Sequence, residues 1–120
     1  MAIGIYKQAF EAEVVYLTRF ADAPGRLRTP GSEDLIFHAT VKFGGTLLNM
    51  ADDPLEEKIS FGGFTLLVHV DSEIAFDRAC RVLGDAGTFI WGPTETPWAH
   101  RYAVVKDEFG VTWKLQQAES

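Results

Sequence analysis

The short string Phe-Gly-x-Thr occurs twice, at 43–46 in "VKFGGTLL" and at 109–112 in "KDEFGVTWKL". Each copy sits at a tight turn between two stretches of alternating apolar and polar residues, the period-two signature of a half-buried strand. The same order of elements surrounds both: helix, strand, loop, strand, tight turn, strand. An internal duplication constrains a chain of this length severely, because neither copy alone can bury its apolar face. The expectation is a single domain over residues 1–120, built of two modules at about 1–52 and 62–118.

In the first half, Ile3, Tyr6 and Phe10 follow helical spacing over 2–10, and "EVVYLTRF" (13–20) reads as a strand. A Gly/Pro-rich loop follows over 21–34, with Arg26 and Arg28, and is a candidate lid or mobile edge. Strand 35–43 puts Leu35, Phe37, Ala39, Val41 and Phe43 on one face, and Ile36, His38, Thr40 and Lys42 on the other. Gly44-Gly45 turns the chain into strand 46–50, and "ADDPLEEKISFGG" reads as a linker. In the second half, strand 64–70 precedes a helix over 73–86 with the stripe Phe76, Ala79, Cys80 and Leu83, capped by Asp71 or Ser72. Then come a short strand 88–91, a loop "GPTETP", and strands 100–106 and 111–116. The last strand sends Trp113 and Leu115 to an apolar face and Lys114 to a polar one.

The repeat also exposes an absence. Strand 64–70 stands before the helix of the second half, whereas only nine residues precede Phe10 in the first. The first module is therefore expected to lack its leading strand, the chain being clipped there or a partner covering the gap. An unpaired sheet edge motivates a homodimer.

Net charge is -6 and no Lys/Arg cluster offsets it, which argues against nucleic acid and anionic membranes as partners. One cysteine, Cys80, forbids an internal disulfide and suits a reducing cytoplasm; on the helix's apolar stripe it is expected to be inert. No apolar run approaches the roughly 18 residues that a membrane span needs.

The stretches "YKQAFEAEVVYLTRF" (6–20), "HATVKFGGTLLNMAD" (38–52), "GFTLLVHVD" (63–71) and "TPWAHRYAVVKDEFGVTW" (96–113) resemble the vicinal oxygen chelate superfamily, which includes glyoxalases, bleomycin-resistance proteins and extradiol dioxygenases. Within it they look most like the PhnB-like branch, whose frequent methyltransferase label finds no nucleotide-binding turn in this sequence. The resemblance implies an α+β fold of paired βαβββ modules, with curled mixed sheets around a cavity, in a homodimer.

Metal-using members of the superfamily hold a divalent ion with His, Gln or Glu from separate strands. By that resemblance the first ligand falls on the absent strand, and the others fall at Thr65, near Asn49 and at Lys114. A lysine opposes a cation: two unit charges about 4 Å apart interact by roughly 4 kcal/mol at an effective dielectric of about 20. A metal cofactor is therefore not expected. Trp98 and Arg101 fall at the cavity wall, and Lys114, Arg101 and His38 would together make it cationic. The alternative is that Lys114 and Arg101 pair with carboxylates such as Asp107 and Glu108. His69 and His100 read as surface residues.

The expected function is binding of an anionic or carbonyl-bearing small molecule by His38, Thr40, Asn49, Thr65, Trp98, Arg101 and Lys114. Two alternatives stand beside it: a lyase- or dioxygenase-type enzyme of the same superfamily with unusual metal ligands, and a structural dimer without ligand.

Overall fold

A computed structural model describes residues 2–22, 31, 33–52 and 63–117. The linker over 53–62 and most of the loop over 21–34, including Arg26 and Arg28, lie outside the described residues. Among the described residues, two helices and seven strands form a mixed α+β fold with two open sheets, of three and four strands. The chain divides into two compact units, one of residues 1–10 and 60–120, the other of residues 11–59.

In the first unit, α1 (Ala2–Phe10) packs on α2 (Glu73–Gly84) and the four-stranded sheet runs β4-β7-β6-β5. The strands are β4 (Leu66–Val70), β5 (Thr88–Thr96), β6 (Ala99–Lys106) and β7 (Thr112–Gln117). β4 pairs parallel with β7, and the other pairs are antiparallel. Ser72 caps α2 by accepting from the Ala75 amide at 3.1 Å, and the expected stripe Phe76, Ala79, Cys80 and Leu83 is buried. Against it the sheet buries Ala103, Val105, Trp113 and Leu115, as the alternation of β7 predicts. Burial, and then the charge of Asp77, push the Cys80 thiol up to about 11, so it stays protonated and unreactive at neutral pH.

Asp107 ties α1 to the β6–β7 turn. It is 4% exposed, and its Oδ2 accepts from the Tyr6 hydroxyl at 2.7 Å and from Trp113 Nε1 at 2.9 Å. Its Oδ1 accepts from the Phe109 and Val111 amides, the side-chain-to-backbone bonding that makes aspartate a turn former. Tyr6 and Phe10 also pack their rings on Trp113, at 5.1 and 5.0 Å between centroids. Much of the KDEFGVTW signature is thus structural.

In the second unit, β1 (Glu13–Arg19), β2 (Ile36–Phe43) and β3 (Thr46–Met50) form an antiparallel sheet in that order. A single 3-10 turn, Phe20–Asp22, follows β1. The alternation of β2 holds for Ala39 and Val41, both buried, but fails at its start: Ile36 is buried and Leu35 exposed. The register shifts between Thr18 and Arg19, passing over Phe37, and this irregularity turns the strand's first residues. Phe37 instead meets Phe20 edge to face at 5.2 Å.

One expected loop is a strand. β5 continues through "GPTET" to Thr96, because a bulge absorbs Gly92 and Pro93 and pairing resumes at Thr94. Proline costs no ladder bond there when its missing N–H faces away from β6, since β5 is the edge strand.

Candidate functional site

The four-stranded sheet has one face covered by helices and one open. Register fixes which residues share the open face. Trp91, Val104, Lys114 and Leu67 form one row across all four strands, and Thr94, Tyr102, Gln116 and His69 form the next. Lys114 is exposed on an inner strand between the apolar side chains of Val104 and Leu67, and no described carboxylate pairs with it. At the β5 side of the face, Tyr102 is 6% exposed beneath two indoles. Trp91 meets it at 5.3 Å and Trp98 at 5.5 Å between centroids, both edge to face, while the indoles themselves stay about half exposed.

Arg101 does not join Lys114. It lies one residue out of phase with Tyr102, which turns it to the helix face. There Nη1 meets Glu73 Oε1 and Nη2 meets Asp77 Oδ1, both at 3.1 Å, with the guanidinium 5.1 Å from the Phe76 ring centroid. The arginine does pair with carboxylates, but with those of α2 one turn apart rather than Asp107 or Glu108. Asp107 is occupied by the turn and by Tyr6 and Trp113. A cationic wall that joins Arg101 to Lys114 is therefore not what this sheet presents.

In the three-stranded sheet, three of the expected residues come together. Thr40 Oγ1 donates to Asn49 Oδ1 at 2.8 Å and lies 3.3 Å from His38 Nε2. A hydroxyl has one proton, here used on Asn49, so the Thr40 oxygen is left to accept from His38 Nε2–H. The Tyr16 ring lies 5.9 Å from the imidazole. Thr40 faces both Tyr16 and Asn49 across the strands, so the group forms one polar row. Thr65 stands exposed just before β4, and His69 and His100 are exposed as expected. Among the described residues, no three His, Cys, Asp or Glu side chains gather as a metal site would require.

Trp91 and Tyr102 escaped the sequence reading. The signal was the two-residue spacing of Tyr102 and Val104 on β6, but it needed the β5 bulge to bring Trp91 into the same row.

No helix among the described residues is long and apolar enough to cross a membrane. Residues 1–115 match the model of the Glyoxalase/Bleomycin resistance protein/Dioxygenase superfamily. Protein YjdN of Escherichia coli (strain K12) is 28% identical over 123 residues, covering 95% of this chain and 84% of that protein. Two solved structures share the fold. Protein PA1353 from Pseudomonas aeruginosa superposes with a TM-score of 0.85 at 23% identity, over 99% of this chain and 88% of that one. The PhnB protein from Bacillus cereus gives 0.80 at 24% identity, over 98% and 88%. The chain belongs to the glyoxalase/bleomycin resistance protein/dioxygenase superfamily.

Proposed function

We propose that this chain binds an anionic or carbonyl-bearing small molecule on the open face of the four-stranded sheet, and that the superfamily's metal site is degenerate here. The observation that carries the reading is Lys114. Its amine rises from an inner strand, flanked by apolar side chains and without a described carboxylate partner. A cation in that setting gives an incoming anion a charge-assisted hydrogen bond with little competition. The aromatic wall of Trp98 supplies apolar area beside it.

The donors present do not fit a hard divalent ion. Thr65 offers a neutral hydroxyl, the Asn49 Oδ1 already accepts from Thr40, and Lys114 brings a positive charge. The ligand on the four-stranded sheet is therefore held by hydrogen bonds and stacking, and His38, Thr40 and Asn49 form a separate polar group in the three-stranded sheet.

Metal analysis of protein purified without chelator tests the degenerate site: wild type carries no stoichiometric divalent metal. Thermal shift with small carboxylates tests the binding role, since a ligand that prefers the native state raises its melting temperature. The expected result is a rise that Lys114→Met abolishes. Stoichiometric zinc, iron or manganese in wild type, or a rise unaffected by Lys114→Met, would overturn the proposal.

A further inference from the structure

The open face carries more than a cation. We propose that its ligand is an aromatic carboxylate, its anion held by Lys114 and its flat ring system lying against Trp91 and Trp98. This deepens the binding role proposed above and rests on it. Three observations converge. Trp91 and Lys114 lie in the same cross-strand row, two strands apart, so their backbones are separated by roughly 10 Å. The floor between them is Val104, an apolar side chain that offers no hydrogen bond to a polar linker. The two indoles pack their edges and faces on Tyr102 yet leave 49% and 54% of their surfaces exposed. Indoles already held by edge-to-face contacts have little rotational freedom left to lose, so a planar ligand stacks at small entropic cost.

The polarity along the row selects the ligand class. Charge stands at one end, π-surface at the other, and an apolar floor between. An aliphatic acid would satisfy only the first, and a neutral aromatic only the second. His69 and Gln116 in the adjacent row give the carboxylate's second oxygen donors to meet.

Calorimetric titration with three probes tests this: 2-naphthoate, hexanoate and 2-naphthalenemethanol. The expected result is that naphthoate binds at least about tenfold tighter than either of the others. Lys114→Met and Trp91→Leu should each weaken naphthoate about tenfold, with Trp98→Leu as a second aromatic variant. Trp91 is half exposed on an edge strand, and an unchanged far-ultraviolet spectrum and melting temperature would verify that its variant folds. Equal affinity for hexanoate and naphthoate, with no effect of Trp91→Leu or Trp98→Leu, would overturn the aromatic assignment and leave the anion-binding role standing. Equal affinity for naphthalenemethanol and naphthoate would overturn the carboxylate. Failure of both anions to bind would sink this inference together with the role it rests on.

Discussion

Tyr6 shows how one side chain can anchor an element. Its hydroxyl donates to the buried Asp107, and its ring packs on Trp113. Burial first, then the hydrogen bond to Asp107 and that group's charge, hold the phenol well above the ordinary tyrosine value of 10.0. A raised value means that the folded chain keeps the proton where the unfolded chain releases it. The stabilisation is therefore complete below about pH 10 and is lost as pH climbs beyond it. Tyr6→Phe should cost about 1–2 kcal/mol near neutral pH, because Asp107 loses a buried donor. Above about pH 10 the gap between variant and wild type should shrink, since only wild type carries the phenol that the unfolded state ionises. Cys80 titrates upward in both proteins, so its contribution cancels in the difference. Urea unfolding across this range measures the effect, and a gap that stays constant to high pH would contradict it.

At the scale of elements, β5 is where the arrangement depends on a single backbone position. Gly92 has φ of +76°, and a Cβ there would lie 2.5 Å from the Tyr102 carbonyl oxygen. Gly92→Ala is expected to cost about 1–3 kcal/mol, from left-handed strain and the close approach together. It should also move Trp91 off Tyr102, read as altered near-ultraviolet circular dichroism; a variant with wild-type stability and spectrum would refute this. The same bulge marks the limit of sequence reading. Gly-Pro signals a turn, and nothing local says that pairing with β6 resumes at Thr94. Where burial alone sets the pattern, as in α2 and β7, periodicity identified the core residues. Lys114 was legible as the polar-face residue of its strand, and Thr40 as the neighbour of His38. The orientation of Arg101 was not, because it depends on carboxylates of α2 distant in sequence. Asp107 reads in sequence as a carboxylate partner for Lys114 or Arg101, whereas its actual side-chain partners, Tyr6 and Trp113, come from opposite ends of the chain.

For the molecule as a whole, the two sheets are unequal in a way that bears on assembly. β4 runs parallel beside β7, and the repeated Phe-Gly-x-Thr turn makes β3 the counterpart of β7. The flank of β3 equivalent to the one that β4 covers is unpaired among the described residues. An open edge presents unpaired N–H and C=O groups, and a second copy of the chain can satisfy them. Leu47, 61% exposed on this strand, adds apolar surface beside that edge. Sedimentation at micromolar concentration should therefore report a dimer. Leu47→Glu places a charge on the edge strand, where desolvating it opposes association. Leu47 lies directly across from Lys42, so the new carboxylate gains a cross-strand cation and the monomer's own sheet is spared. The variant should sediment as a folded monomer with an unchanged far-ultraviolet spectrum. A wild-type monomer at that concentration would show that the β3 edge is tolerated bare, and a Leu47→Glu dimer would place the contact on another surface.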